Sequence, residues 1–463
     1  MTTSLIIISN LILGQFSLGA EIRNSLAFFS GNGKRTIFLQ DQILFPNYEG
    51  FKLSKGLNTY NSILFGITYG DEDINTKILA EPFFSLPRYE PIFLHRLSFE
   101  TKFKYLIFSG GKDSISLGSG IHNSVLLSHN IEPQKFLSGQ IKNLPLPCIG
   151  DFCFGDISGL LGLVFVSDPN YKYPDPNFLI MRFEWGILFF RLGANRIIAF
   201  GGKGGVKPKT FQEYLDLFTG RLENASGICK YEQDEKKKKE CEEYWASRDT
   251  NQAAGFYLIT NIGQILDKLG VQLFDELAGY IEYAGDDIMA CWQPEDRAAG
   301  MKCFPFPLGL LDIAWLLGIS GKIGRFSFIT EFTSTNKNKP FYAHHNYPLL
   351  VGGMYTGSHA GPFSDDLWIK MSGEILDGFY LGTRFHFTRR WAEKSSKSED
   401  QERIYEFGPI LAMDLDESTT SGISFMFFLF ENPDLSSNPF EPQLKKGKKF
   451  LDFSFSLFFS KRF

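Results

Sequence analysis

Polar and apolar residues alternate with a period of two along most of this chain. In Leu97–Phe108 the odd positions are Leu97, Phe99, Thr101, Phe103, Tyr105 and Ile107, with Ser98, Glu100, Lys102 and Lys104 between them. Met181–Arg191 sets Met181, Phe183, Trp185, Ile187 and Phe189 against Arg182 and Glu184. Arg325–Thr333 opposes Phe326, Phe328 and Phe332 to Arg325, Ser327 and Glu331, and Leu381–Arg390 opposes Leu381, Phe385 and Phe387 to Arg384, His386 and Arg390. Successive side chains on a strand point to opposite faces, so each run predicts a strand with one apolar and one charged face. A soluble sandwich also alternates, but it rarely sets charges opposite a row of Phe in strand after strand. A transmembrane barrel does so by design: lipid accepts the Phe and a wet lumen accepts the charges. Strand-like runs continue from Thr59 to the C-terminus, with room for about 16–20 strands.

The final run is the sharpest. Counting back from Phe463, Phe459, Leu457, Phe455, Phe453 and Leu451 share one face, while Arg462, Ser460, Ser456, Ser454 and Asp452 share the other. Lys461 and Phe458 break the rule, and Lys461 sits near the end, where a long side chain reaches the interface. A terminal aromatic on an amphipathic strand resembles the signal read by the outer-membrane barrel assembly machinery. At the other end, the apolar stretch Leu5–Leu13 is too short to span a bilayer, and Gly19-Ala20 offers small residues for a leader cleavage site, although no Lys or Arg precedes it. The expected organisation is a signal peptide over 1–20, an N-terminal periplasmic or plug segment over 21–58 with a short helix at Glu21–Ser30, and an outer-membrane β-barrel over 59–463.

Composition agrees with a barrel. The 463 residues are 16% aromatic, with 48 Phe, yet only 43% hydrophobic. Mean hydropathy is −0.10, which argues against a helical membrane protein. The one other long apolar stretch, Phe304–Gly318, carries Pro305, Pro307 and Asp312 and reads as strand plus turn. A net charge of −5 provides no basic field for nucleic acid. Lys236–Lys239 reads as a solvated loop. Cysteines fall into neighbouring pairs, Cys148/Cys153, Cys229/Cys241 and Cys291/Cys303, which in an exported chain suggest loop disulfides; six unpaired thiols are the alternative.

Little in the sequence carries chemistry. Gly201-Gly-Lys-Gly-Gly205 lacks the Ser or Thr after Gly-Lys that a phosphate-binding loop requires. His344-His345 with His359 raises a metal site, but adjacent residues on a strand face opposite ways, so neither metal nor cofactor is expected. Asp286-Asp287 and Asp365-Asp366 read as solvated turn acids, and no nucleophile elbow or zinc-protease helix occurs. No catalytic residue is assigned.

A set of blocks, in order along the chain, resembles the Wzi-type capsule-assembly family of outer-membrane proteins. They are Arg23-Asn-Ser-Leu-Ala-Phe-Phe; Phe200-Gly-Gly-Lys-Gly-Gly with Thr210-Phe-Gln-Glu-Tyr and Asn224; Asn251-Gln-Ala-Ala-Gly-Phe256 with Glu276 and Glu282-Tyr-Ala-Gly-Asp286; and Glu331-Phe-Thr-Ser-Thr335. Tyr342, His344, Tyr347, Gly353, Tyr355, Gly357 and His359 complete the most specific block, although Ser358 stands where the family often has Arg. The resemblance implies an 18-stranded barrel with a helical N-terminal element and a non-enzymatic, lectin-like role in assembling or anchoring capsular or other surface polysaccharide. Tyr244, Trp245 and Trp292, in loop-like stretches, are the candidate sugar-stacking residues. The partners expected are surface polysaccharide, outer-membrane lipid and the barrel assembly machinery, around a monomer. The alternatives are a porin-like channel, suggested by Glu100, Lys102, Lys104, Arg182 and Arg384 on the wet face, and an outer-membrane hydrolase.

Overall fold

The computed structural model describes residues 15–29, 37–38, 52–53, 56–70, 74–86, 92–150, 152–205, 208–219, 234–246, 250–286, 288–290, 308–310, 313–335, 341–342, 344, 346–391, 401–433, 444 and 446–462. An 18-stranded antiparallel sheet closes on itself. Its first strands are β1 Gln15–Phe29, β2 Gly56–Gly70, β3 Ile74–Leu86, β4 Ile92–Phe103, β5 Leu106–Asp113 and β6 Gln134–Pro145. The wall continues with β7 Asp156–Phe165, β8 Asn177–Ile187, β9 Phe190–Phe200, β10 Asn251–Asn261, β11 Glu276–Asp286 and β12 Ile313–Ile323. It ends with β13 Phe326–Ser334, β14 Ser364–Leu376, β15 Phe379–Arg390, β16 Glu402–Asp416, β17 Thr419–Glu431 and β18 Lys449–Arg462. Each strand pairs with the next in sequence, and β1 completes the ring by pairing with β2 (Gln15↔Gly70) and β18 (Glu21↔Arg462).

The predicted alternation is the wall itself. On β18, Leu451, Phe453 and Leu457 point out and are 43–65% exposed in the isolated chain, while Asp452, Ser454, Ser456 and Ser460 are buried inward. On β15, Leu381 points out, and Arg384, His386 and Arg390 point in and are buried. An apolar side chain of this size left in water forgoes about 1.5–3 kcal/mol, so a ring of such residues needs a hydrocarbon surround.

The N-terminal expectation is corrected. Glu21–Phe29 is strand, not helix. The reason is topological: without it, β2 and β18 would be two open sheet edges with unpaired backbone groups, which a spanning structure cannot leave. Gln15–Ala20, read as the end of a leader, also belongs to β1, and residues 1–14 lie outside the described residues. Of the remaining 21–58 segment, the described residues form the short ribbon Ile37–Phe38/Lys52–Leu53 and the start of β2.

The two rims differ. At one, the turns Lys104–Tyr105, Leu188–Phe189 and Gly324–Arg325 are two residues long, and their first residues have φ of 52°, 53° and 54°. Such left-handed turns match the twist of paired strands. This rim also carries the Cys148–Cys153 disulfide, the neighbour pairing expected. Cys241 is disulfide-bonded too, whereas Cys229, Cys291 and Cys303 lie outside the described residues. The other rim carries the long connections, among them 114–133, 166–176, 201–250 and 335–363. Within 201–250 are helices α1 Phe211–Thr219 and α2 Glu235–Ala246. Lys236–Lys239 therefore lies in a helix rather than a loop, capped where Asp234 Oδ1 accepts Lys236 N–H at 2.9 Å.

Candidate functional site

Inside the long-connection rim, described residues of two connections pack against the inward face of the wall. Val125, Leu126 and Leu127 of connection 114–133 and Phe341, Tyr342, Tyr347, Leu349 and Tyr355 of the described part of 335–363 form one buried cluster with wall residues such as Phe178, Ile197 and Leu316. A segment inside a barrel must still satisfy its backbone groups. Two wall carboxylates do this for 114–133. Glu282, on β11, accepts N–H groups from Ser119, Gly120 (2.8 Å) and Val125 (2.9 Å). Glu331, on β13, accepts those of Ile121, His122 (2.9 Å) and Asn123 (2.9 Å), and the Tyr280 hydroxyl at 2.7 Å. Ser119-Gly-Ile-His-Asn123 is thus a run of amides wrapped around two acids, a nest built by short and glycine residues.

The second connection locks over the first. Tyr342 donates to the Val125 carbonyl at 2.5 Å and accepts Ser358 N–H at 2.8 Å. Thr356 Oγ1 donates to Leu126 O, Ser128 N–H to Thr356 O, and Asn130 Nδ2 to Tyr355 O. A Cβ on Gly357 would collide with the Val125 carbonyl oxygen and Tyr342 Oη, so this close approach requires glycine. Gly353, with Gly352, makes the tight turn of the ribbon Leu350–Val351/Met354–Tyr355 at φ of 76° and 59°. Tyr347 donates to Gly201 O at 2.9 Å, and His344 Nδ1 accepts the Asn346 and Tyr347 N–H groups at 3.2 Å. The resemblance block Glu331, Tyr342, His344, Tyr347, Gly353, Tyr355, Gly357 and His359 thus lies where these two connections pack together and against the wall. Burial pushes the pKa of the Tyr171 hydroxyl up, and it donates to Leu350 O from the 166–176 connection.

Beside the Glu331 cradle, three imidazoles meet one carboxylate. His122 Nε2 lies 3.7 Å from Asp366 Oδ2, His359 Nε2 3.4 Å from Asp366 Oδ1, and His386 Nε2 2.7 Å from the same oxygen. Thr388 Oγ1 also donates to Asp366 Oδ1, at 2.7 Å. Arg384, expected to line a pore, is buried 3.6 Å from Glu406. Burial lowers the basicity of His122 to about 4. The sequence pointed to His344 and His345; the fold instead joins His359 to His122 and His386, and His345 lies outside the described residues. Asp366, read as a solvated turn acid, is buried.

On the outer side of the same rim, α1 begins with a capping box. Thr210 Oγ1 accepts Glu213 N–H at 3.2 Å, and Glu213 Oε2 accepts Thr210 N–H at 3.1 Å. Leu217 is buried against Ile198 and Phe200. The opposite face presents Phe211, Tyr214 and Phe218, spaced as one helical stripe and 48–79% exposed. Phe211 and Tyr214 fall in the Thr210–Tyr214 block of the resemblance, but neither they nor Phe218 is among the sugar-stacking candidates the sequence suggests; Thr210-x-x-Glu213 ahead of an aromatic stripe was the available signal. Of the residues it named for sugar stacking, Tyr244 is exposed on α2, Trp245 belongs to the same helix, and Trp292 lies outside the described residues.

No family model and no curated protein matches the chain. Among solved structures it is similar to Wzi of Escherichia coli, described as an outer-membrane protein involved in group 1 capsule assembly and a carbohydrate-binding β-barrel. The TM-score is 0.62 at 14% identity, over 99% of this chain and 86% of that one. It is also similar to OccK2 (OpdF) of Pseudomonas aeruginosa, at TM-score 0.50 and 8% identity over 97% and 98%. OccAB2 of Acinetobacter baumannii gives TM-score 0.50 and 9% identity over 97% and 98%. At these identities the likeness is one of fold, that of outer-membrane barrels.

Proposed function

We propose that this chain is a surface-glycan-binding barrel of a bacterial outer membrane, non-enzymatic and closed to solutes by its own plug. The observation that carries the reading is the aromatic stripe Phe211/Tyr214/Phe218, exposed on α1 at the outer side of the long-connection rim. Aromatic faces stack on the apolar faces of sugar rings, and each is worth about 0.5–1.5 kcal/mol. In outer-membrane barrels the long connections face the cell exterior, which puts the stripe where surface polysaccharide lies. The carbohydrate-binding description of Wzi and the ordered sequence blocks shared with its family support the same role. The competing reading, a solute channel, draws on the Occ-type fold and on inward charges such as Glu81, buried 3.4 Å from the half-buried Arg96.

Polysaccharide purified from the native host surface is titrated onto refolded barrel, and the same preparation is placed in planar bilayers. The expected results are saturable binding, weakened at least tenfold in the Phe211→Ala/Tyr214→Ala/Phe218→Ala variant, and no steady conductance. Steady conductance without polysaccharide binding makes the protein a channel.

A further inference from the structure

We infer that His122, His359, Asp366 and His386 form a structural site for a late first-row divalent cation, zinc above all, which staples both plug connections to the barrel wall. The four donor atoms lie within 4.8 Å of one another. They come from four places: His122 from connection 114–133, His359 from 335–363, Asp366 from β14 and His386 from β15.

The geometry is close to what zinc requires. Tetrahedral bonds of about 2.0–2.2 Å put neighbouring ligand atoms about 3.3–3.6 Å apart. His359 and His386 Nε2 lie 3.4 and 2.7 Å from Asp366 Oδ1 and His122 Nε2 lies 3.7 Å from Oδ2, so with all four donors within 4.8 Å of one another a small inward rearrangement of side chains assembles the shell. The outer shell is already in place. Asn123 Oδ1 lies 3.1 Å from His359 Nδ1, and Glu406 Oε2 lies 3.4 Å from His386 Nδ1. Asn123 can accept the Nδ1–H of His359, and Glu406 stands at ion-pair distance from the Nδ1 edge of His386, so Nε2 of each ring is turned to the common centre, the arrangement metal-binding histidines use. Asn123 Nδ2 donates to Asp366 Oδ2 at 3.1 Å, which fixes the amide's orientation, and Arg384 supports Glu406. His122 stacks on Trp368 at 4.5 Å between centroids and 3° between planes, which sets its ring direction.

The donor set selects the ion. Three imidazoles and one carboxylate suit zinc and its neighbours, whereas calcium and magnesium require mostly oxygen. Four protein ligands fill a tetrahedron, which is the mark of a structural rather than a catalytic site.

The test uses the full-length barrel, refolded in detergent with zinc and dialysed. Metal analysis is expected to give one zinc per chain, and cobalt(II) substitution to give the intense visible bands of a tetrahedral site. His359→Gln and His386→Gln are each expected to weaken zinc binding more than a hundredfold, and Glu406→Gln about 10–100-fold. His344→Gln, outside the cluster, is expected to retain it. Chelation of the wild-type protein should speed protease cleavage within 114–133 about tenfold while the barrel stays folded on a heat-modifiability gel. A folded wild-type barrel that holds less than a tenth of an equivalent of zinc overturns the proposal, and so does undiminished binding in both histidine variants. The wild-type measurement decides even if a variant fails to fold, and neither outcome depends on glycan binding.

Discussion

The plug is held by two kinds of anchor a few residues apart. At Glu282 and Glu331, carboxylates meet backbone amides; at Asp366, a carboxylate meets side-chain imidazoles. The amide cradle is complete in itself. Each acid accepts three N–H groups of one segment, and a backbone amide neither titrates nor binds a metal ion through its N–H. The imidazole cluster is different in kind, because its nitrogens have lone pairs to give and outer partners that aim them. The first arrangement fixes where the connection lies. The second makes its hold on the wall depend on something in solution.

The largest effect should come from removing the cradle. Glu282→Ala with Glu331→Ala strands six backbone donors, each at about 1–3 kcal/mol, in addition to the Tyr280 hydroxyl. The expected outcome is a barrel that still runs as folded but conducts steadily in planar bilayers, and a silent double variant would refute the anchoring role. An intermediate effect is expected from Gly357→Val, which drives a side chain into the Val125 carbonyl at a cost of about 1–3 kcal/mol. Hydrogen exchange of the amides at 119–125 should rise ten- to a hundredfold with little conductance; unchanged exchange would mean that the two connections do not brace each other. The smallest effect is expected from His122→Phe. Its ring still stacks on Trp368 and its backbone still donates to Glu331, so protease cleavage of 114–133 should rise by no more than about tenfold, or 1.4 kcal/mol. Steady conductance in that variant would reverse the ranking of the two anchors.

The wall was legible in the sequence because its rule is local. Leu451 to Phe459 alternate in sequence, and they alternate in space. The plug was not legible, because its rule is non-local. Ser114–Pro133 has the Ser, Gly and Asn content of a surface connection, and nothing within it shows that Glu282 and Glu331 will supply acceptors from the far wall. The ordered block from Glu331 to His359 stood out only as a family resemblance, and nothing within it shows that Tyr342, Thr356 and Gly357 close over Val125 and Leu126. The histidines illustrate the same limit: the adjacent pair His344-His345 drew notice, whereas the clustered ones stand far apart in the chain. Arg23–Phe29 was read as a helix because its apolar residues fit either period, and only the two edges it joins decide the matter.

Connection 114–133 finds its partners at Tyr342, Tyr355 and Thr356, separated from it by 217 to 230 residues. An early stretch of polypeptide must therefore wait, unsheltered, until most of the cylinder has been threaded into the bilayer. A nascent barrel arrested before those residues arrive would be an unstoppered hole in the cell envelope.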